Sequence, residues 1–171
     1  MFVELITTGS ELLLGATLNT HQQWIGRQLA EIGMPVSRQL TVPDSGTAIA
    51  EAVAEALNRA DLIITTGGLG PTSDDRTRDE IARLLGLTMS EDPAVLKQIE
   101  LAFRRRNRPL PPNFKSLASI QAQVPAGALV LKNEHGSAPG LAIDVPRTPP
   151  GQNVAPADHA PRPAARVAAD V

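Results

Sequence analysis

Short apolar runs alternate along the chain with stretches in which apolar residues recur every three or four positions. The runs are residues 2–7, 35–42 and 62–65, and the third is rich in β-branched side chains, which is typical of a strand buried on both faces. We therefore predict a strand at each run, and we expect the third strand to lie in the middle of a sheet.

Helical spacing predicts the elements that follow these strands. Ile25, Leu29 and Ile32 predict a helix over 19–32. The alternation of strands and helices predicts a layered α/β/α domain with right-handed crossovers. Further helices are expected over 49–57, 77–85, 92–103 and 114–120, and short strands at 129–131 and from Leu141 onward.

The loop after the third strand is the main candidate site. Gly67, Gly68 and Gly70 permit a turn with unusual dihedral angles and let a ligand approach the backbone closely, while Pro71 stiffens the exit. A strand, a glycine-rich loop and a helix start in this order form an anion-binding corner, because unpaired backbone N–H groups point at the ligand. The alternative interpretation is a tight connection that binds nothing.

Two consecutive aspartates follow the glycines. Asp74 and Asp75 would repel an anion bound in the loop unless a cation lay between their carboxylates and that anion. The pair therefore indicates a divalent metal that bridges the protein and the phosphates of a ligand. The alternative is that an aspartate caps the start of the next helix.

Small-residue loops also leave the other predicted strands. Gly9, Ser10 and Glu11 follow the first strand and Asp44 follows the second, and in an open α/β sheet such loops gather at the carboxyl edge, where ligands bind. Glu11 is either functional or solvated surface, and Asp44 is either functional or a cap. The loop over 133–140 either exposes its backbone to a ligand or is a β-hairpin turn.

Basic residues in the second half of the chain have two interpretations. Residues 104–108 include four arginines, which suit phosphate contacts or the carboxyl end of a solvated helix, and the pattern favours the helix end. Lys115 would reach an anionic ligand if its helix faced the cleft.

The composition excludes several classes of function. The chain has 171 residues, of which 42% are hydrophobic and 20% charged, and its net charge of -2 gives no support for nucleic-acid or anionic-membrane binding. It contains no cysteine, which excludes disulfides and thiolate metal sites. No apolar run is long enough for a signal peptide or a membrane span, so we expect a cytoplasmic protein.

The composition changes after Asp144. The 27 residues from 145 to 171 include six prolines and seven alanines and show no apolar periodicity. We therefore expect one domain over 1–144 and a disordered tail over 145–171.

These motifs match a known family. The chain closely resembles the amino-terminal domain of the CinA (competence/damage-inducible protein) family, within the wider MoaB/MogA-like molybdopterin-binding superfamily. The resemblance covers residues 1–144 and rests on residues 9–15, 65–77 and 133–140, three separated motifs in the right order. It implies a three-layer α/β/α sandwich with a mostly parallel sheet.

The resemblance also implies a function. Proteins similar to CinA cleave the pyrophosphate of ADP-ribose with a divalent metal, giving AMP and ribose 5-phosphate, whereas MoaB/MogA relatives bind or adenylylate molybdopterin. We expect a homo-oligomer that hydrolyses ADP-ribose or a related nucleotide sugar, or alternatively a non-catalytic module that binds molybdopterin or a nucleotide. The expected catalytic residues are Asp44, Asp75 and Glu11, and the expected metal ligands are Asp44, Asp74 and Asp75. The expected ligand-binding residues are Gly9, Ser10, Thr66, Gly67, Gly68, Gly70, Pro71, Thr72, Thr77, Lys115, Asn133, Gly136, Ser137, Ala138 and Pro139.

Two departures from the family pattern concern the end of the chain. The family continues beyond the strand at Leu141 into a Pro-Gly-x-Pro-x-Glu loop that completes the pocket, and this sequence contains no such motif. The full CinA architecture adds a nicotinamide-nucleotide amidase domain, which this sequence also lacks. The expectation is a truncated or frameshifted product without amidase activity, whose truncation leaves the domain marginally stable.

Overall fold

The structure is a computed structural model that describes residues 1–105, 111–133, 136–146 and 165–169. Predictions that concern residues 106–108, 134 and 135, or the tail at 147–164 and 170–171, lie outside these ranges.

Strands and helices alternate through the first half of the described chain. Asn19, Ser45 and Asp92 each accept a hydrogen bond from a backbone N–H group of the first helical turn that follows, which explains where three of the helices begin. The strands are β1 (Val3–Thr8), β2 (Val36–Val42), β3 (Leu62–Thr66), β4 (Met89–Glu91), β5 (Gln123–Pro125), β6 (Leu129–Leu131), β7 (Gly140–Val145) and β8 (Ala165–Ala169). The helices are α1 (Ser10–Leu13), α2 (Thr20–Glu31), α3 (Gly46–Leu57), α4 (Thr77–Leu84), α5 (Pro93–Arg105) and α6 (Phe114–Gln121).

The main sheet is mixed and mostly parallel. Its order is β2-β1-β3-β8-β7-β6, and β4 pairs with β5 in a separate two-stranded sheet. Strands β2, β1, β3 and β8 are parallel to one another, whereas β7 is antiparallel to both of its neighbours. The described residues therefore confirm the mostly parallel sheet and place β3 away from both edges, as expected.

Helices lie on both faces of this sheet. Buried apolar residues of α3 and α4, among them Ile49, Val53 and Ile81, pack with Ile6 and Ile63 on one face. On the other face Ile25 of α2 packs with Val3, Leu5 and Ile64. This arrangement confirms the three-layer α/β/α sandwich. A further cluster joins α5, α6 and β7 through Val95, Ile99, Phe114, Ala118 and Leu141.

A buried carboxylate lies near the amino end of β1. Glu4 is 0% exposed, and its two carboxylate oxygens accept hydrogen bonds of 2.8 Å from Nε and Nη2 of Arg59. Nε of Arg38 lies 3.6 Å from the same carboxylate. The hydrogen bond with Glu4 raises the pKa of Arg59. The charge of Glu4 is therefore neutralised within the fold.

Three short elements were not predicted. The sequence indicates only a turn at Ser10, where α1 forms, and no strand at β4 or β5. These elements have three or four residues each, too few to establish a periodic pattern. At the end of α1, Leu13 and Leu14 are 53% and 83% exposed.

The prediction of a wholly disordered tail is wrong at two places. Strand β7 extends to Val145, and residues 165–169 form β8 between β3 and β7. Strand pairing uses backbone groups that every residue except proline possesses, and residues 165–169 contain no proline. An alanine-rich strand of this kind carries little hydrophobic alternation, which explains why the sequence pattern misses it.

None of the helices in the described ranges is long and apolar enough to cross a bilayer.

Candidate functional site

Three loops meet the carboxyl edge of the main sheet. The first follows β1 and contains Gly9, the second follows β2 and contains Asp44, and the third follows β3 and contains Gly67. Because β1 lies between β2 and β3, the three loops are neighbours. The loop between β6 and β7 reaches the same edge two strand positions beyond β3, or about 10 Å at the usual strand spacing.

The glycine-rich loop after β3 adopts a backbone that requires glycine. Gly67 has φ of 93° and Gly68 has φ of 73°, both in the left-handed region. A side-chain carbon at Gly67 would lie 2.6 Å from both the carbonyl and the hydroxyl oxygen of Thr8. Both conformation and close contact therefore exclude a side chain at this position.

The N–H groups of this loop have no protein acceptor. Within the described ranges, Gly67, Gly68, Leu69 and Gly70 donate no hydrogen bond from their backbone nitrogens. The three glycines are partly exposed. Four consecutive unpaired donors, three of them on partly exposed glycines, match the anion-binding corner that the sequence predicts.

Two buried threonines lie beneath the glycine-rich loop. Thr8 is 5% exposed and Thr77 is 0% exposed, and their hydroxyl oxygens are 3.3 Å apart. The hydroxyl of Thr8 donates to the carbonyl of Thr66 at 3.3 Å, and the N–H of Thr77 donates to the carbonyl of Gly68 at 3.1 Å. Thr77 was expected to contact a ligand, but its complete burial places it under the loop. The hydroxyl of Thr66 is also buried, and among the described residues it has no partner.

The expected metal ligand Asp75 braces its own loop. Its Oδ2 accepts hydrogen bonds from the N–H group, at 2.9 Å, and from the hydroxyl of Thr72. Its carboxylate packs against Gly70, where no side chain would fit, and Pro71 is half-buried beside it. Asp74 is exposed and makes no hydrogen bond or ion pair within the described part of the chain. Asp75 thus combines the turn-forming role with one free carboxylate oxygen, whereas Asp74 is wholly free.

Asp44 and Ser10 join the loops after β1 and β2. Oδ2 of Asp44 accepts from the N–H of Ser10 at 2.8 Å, and the hydroxyl of Ser10 accepts from the N–H of Asp44 at 3.4 Å. The carboxylate of Glu11 is exposed and folds over Gly9, where an added side-chain carbon would lie 2.7 Å from Oε1. Both carboxylates therefore flank the loop after β1.

Asn133 organises the loop of a β-hairpin. Its Oδ1 accepts from the N–H of Gly136 at 2.8 Å, and its Nδ2 donates to the carbonyl of Ala138 at 2.9 Å. Strands β6 and β7 pair antiparallel on either side, which confirms the hairpin interpretation. Ser137 is half-buried and Pro139 is buried. The amide of Asn133 is thus used to shape the loop that would present these residues.

Lys115 lies apart from the glycine-rich loop. It is exposed at the amino end of α6 and lines a depression together with Glu100, Arg104 and Phe114. None of the loops at the carboxyl edge contributes to that depression. The structure therefore does not bring Lys115 to the other expected ligand-binding residues.

The acidic side chains fit one kind of metal site and not another. Among the described residues no group of three or more His, Asp or Glu side chains is arranged to hold a metal ion. A site formed by protein ligands alone is therefore not assembled by these residues. Mg²⁺ commonly uses only one or two carboxylates together with waters and substrate phosphates. The free oxygens of Asp74 and Asp75 beside the unpaired N–H groups fit that second kind.

Two residues of the site were missed from the sequence. Leu69 contributes an unpaired N–H group, although its 3% exposed side chain marks it as core. Thr8 supports the loop from a position 69 residues before Thr77. The only sequence signal for Thr8 is a hydroxyl at the end of a strand, which is too common to single it out.

Comparison with known proteins gives consistent matches. A family model described as "Probable molybdopterin binding domain" matches residues 4–157, which runs past Asp144. A "Putative competence-damage inducible protein" of Geobacillus kaustophilus is 49% identical over 143 residues, covering 84% of this chain and 34% of that protein. A "CinA-like protein" of Akkermansia muciniphila is 48% identical over 142 residues, covering 82% of this chain and 33% of that protein. The chain spans about a third of the length of these relatives.

Solved structures agree with the fold. The protein CinA with unknown function from Thermoplasma acidophilum is 28% identical, with a TM-score of 0.71 over 99% of this chain and 88% of that chain. A molybdopterin biosynthesis protein from Mycobacterium abscessus is 16% identical, with a TM-score of 0.51 over 98% of this chain and 79% of that chain. The second match concerns the fold alone. Together they confirm the α/β/α fold and the resemblance to CinA.

Proposed function

The chain belongs to the molybdopterin-binding domain family, and from this premise we propose that it hydrolyses the pyrophosphate of ADP-ribose or a related nucleotide sugar. The observation that carries the proposal is the run of unpaired N–H groups from Gly67 to Gly70. Such a run stabilises the negative charge of phosphate oxygens and carries no positive charge of its own.

The loops at the carboxyl edge of the sheet, including the hairpin loop between β6 and β7, provide complementary chemistry around a pyrophosphate. The N–H groups of Gly67, Gly68 and Gly70 bind phosphate oxygens, and the hairpin loop that Asn133 shapes closes the pocket from the other side. Glu11 or Asp44 orients the attacking water and accepts its proton, because both carboxylates flank the loop after β1. The water oxygen bonds to one phosphorus, the bridging P–O bond breaks, and AMP and ribose 5-phosphate are released.

A divalent cation completes the proposed site. Asp75, with Asp44 or Asp74, would hold the cation together with phosphate oxygens of the ligand. When bound, it supplies neutralisation of the pyrophosphate charge and activation of the nucleophile. The strands that precede Asp44 and Asp75 are two positions apart in the sheet, about 10 Å, which favours Asp74 as the partner of Asp75.

Asp75→Asn tests this assignment. The substitution keeps the shape of the side chain and removes its charge, so we expect metal-dependent release of AMP from ADP-ribose to fall at least about a hundredfold. Asp92→Asn is the matched control, because Asp92 also accepts two hydrogen bonds, here both from backbone N–H groups, but lies at the start of α5. An Asp75→Asn protein that turns over ADP-ribose at the wild-type rate would show that the assignment is wrong.

The second candidate is a module that binds molybdopterin or a nucleotide without turnover. The description of the matching family favours it, and the sequence lacks the Pro-Gly-x-Pro-x-Glu loop that was expected to complete the pocket. A partly built site binds phosphates but does not position a transition state. Calorimetry with ADP-ribose and with molybdopterin, run beside an AMP assay, separates the two candidates. Tight binding without AMP release supports the module.

Self-association is the third part of the proposal. Leu13, Leu14, Leu18 and Trp24 are all more than half exposed between α1 and the second turn of α2, and such apolar exposure favours a protein interface. Light scattering of the wild type and of Leu18→Gln measures it directly. A wild-type mass equal to one chain would exclude a homo-oligomer.

A further inference from the structure

The peptide groups of the glycine-rich loop are oriented by two buried donors. The carbonyl of Thr66 accepts from the hydroxyl of Thr8, and the carbonyl of Gly68 accepts from the N–H of Thr77. Both carbonyls therefore point inward, toward the buried threonines. In a trans peptide the N–H group points away from the carbonyl, and no cis peptide occurs among the described residues. The N–H groups of Gly67 and Leu69 are accordingly turned away from the two buried threonines.

The proton of Thr77 has a defined direction. Thr8 has a single hydroxyl proton and donates it to the carbonyl of Thr66, which can only accept. The hydrogen bond between the two hydroxyls must then be donated by Thr77. The result is a continuous chain from Thr77 through Thr8 to Thr66, which connects the start of α4 with the ends of β1 and β3.

The packing around the two threonines leaves them no alternative partner. Thr8 lies against Gly67, and Thr77 lies against Gly68. Each threonine is so close to its glycine that any side chain on the glycine would collide with it. Both threonines are at least 95% buried.

We propose that Thr8 and Thr77 are positioning residues that hold the N–H groups of Gly67 and Leu69 toward a phosphate-bearing ligand. This inference rests on the proposed phosphate-binding function of the loop. Thr8 then influences ligand binding without touching the ligand. Thr77, which was expected to contact the ligand, instead supports the loop from beneath.

Substitutions at Thr8 test the proposal. Thr8→Val keeps the shape of the side chain and removes both the donor to the Thr66 carbonyl and the acceptor of the Thr77 hydroxyl. We expect the Kd for ADP-ribose and for inorganic pyrophosphate to rise about tenfold or more, as for the loss of a hydrogen bond to a charged group. Thr8→Ser restores the hydroxyl and is expected to bring both Kd values within about threefold of wild type.

Thr7→Val is the matched control. Thr7 is the adjacent residue on the same strand, is equally buried, and points to the opposite face of the sheet, where its hydroxyl accepts from Asn19. Thr7→Val is expected to lower the melting temperature as much as Thr8→Val does, with no change in pyrophosphate affinity.

A Thr8→Val/Thr77→Val double variant is expected to bind pyrophosphate no more weakly than Thr77→Val alone, because both residues act through one chain of hydrogen bonds.

The outcomes separate this inference from the proposed function. If wild type binds pyrophosphate and Thr8→Val binds it equally well, or if Thr7→Val weakens binding to the same extent, the positioning role is wrong and the phosphate site stands. If wild type binds neither ADP-ribose nor pyrophosphate, the phosphate site and the positioning role are both wrong.

Discussion

The two ends of β1 carry polar groups of opposite kinds. At the amino end the carboxylate of Glu4 is fully buried, and both of its oxygens are bonded by Arg59. At the carboxyl end the strand leads to Gly9 and Glu11, beside a loop whose N–H groups are unpaired and partly exposed. Groups that are polar, buried and fully paired stabilise the fold, whereas unpaired donors at the surface retain the capacity to bind a ligand.

Residue type alone does not tell a polar group that stabilises the fold from one that can bind a ligand, whereas its pairing within the protein does. Glu4, Asp75 and Asp74 are all acidic, but they form a series from complete to absent protein pairing. We expect the effect of substitution on stability to fall along this series, and the effect on ligand binding to be confined to Asp75 and Asp74, which keep free carboxylate oxygens.

Arg59→Met is expected to have the largest effect on stability. The substitution leaves Glu4 buried with only Arg38, whose Nε is 3.6 Å away, and breaking a buried pair in this way costs about 3 kcal/mol of unfolding free energy. Urea denaturation measures the loss, and the affinity for pyrophosphate is expected to stay at the wild-type value.

Arg83→Met is the control for this comparison. Arg83 also pairs with a carboxylate, that of Glu80, but its side chain is 68% exposed and Arg76 remains as a second partner of Glu80. We expect a loss within about 0.5 kcal/mol. Equal losses for Arg59→Met and Arg83→Met would mean that the pairing of the buried Glu4 contributes no more to stability than the pairing of Arg83 in α4.

Gly67→Ala is expected to have an intermediate effect on stability and a large effect on binding. Alanine at φ of 93° is strained and its side chain meets Thr8, so we expect a loss of about 2 kcal/mol and no measurable pyrophosphate binding. Gly86→Ala isolates the conformational part, because Gly86 has φ of 67° but no atom within 4 Å of an added side chain. It should lose about 1 kcal/mol and bind normally. Normal pyrophosphate binding by Gly67→Ala would show that the glycine-rich loop does not form the proposed phosphate site.

Local signals in the sequence predict the frame of the fold well. The strand at β3, the helix predicted from residue 92 and the helix predicted to end at residue 85 each follow from residues within a few positions of one another. The glycine-rich loop and the hairpin loop are predicted for the same reason. The positive φ angles of the glycine-rich loop and the turn geometry of both loops depend on local residue type.

Features that depend on distant contacts were not predicted. Thr8 and Thr77 are 69 residues apart and Ser10 and Asp44 are 34 apart, so neither hydrogen bond is visible as a pattern along the chain. Strand β8 is defined by backbone pairing with β3 and β7 and not by its side-chain pattern. The complete burial of Thr77 was not predicted either, because it depends on the position of Gly68 above it.

Asp74→Asn is expected to have the smallest effect on stability and provides the sharpest test of the contrast. Asp74 is exposed and makes no hydrogen bond or ion pair within the described ranges, so the unfolding free energy should change by less than about 0.5 kcal/mol. If Asp74 shares a cation with the ligand's phosphates, the Mg²⁺ concentration needed for half-maximal ADP-ribose binding should rise several-fold, while binding of ADP-ribose without added metal stays unchanged. Asp79→Asn is the control, because Asp79 is also exposed but pairs with Arg78 on α4. A metal dependence equal to wild type in Asp74→Asn would leave Asp75 as the remaining carboxylate of the loop able to hold the cation, and would show that lack of a protein partner does not by itself mark a ligand-binding group.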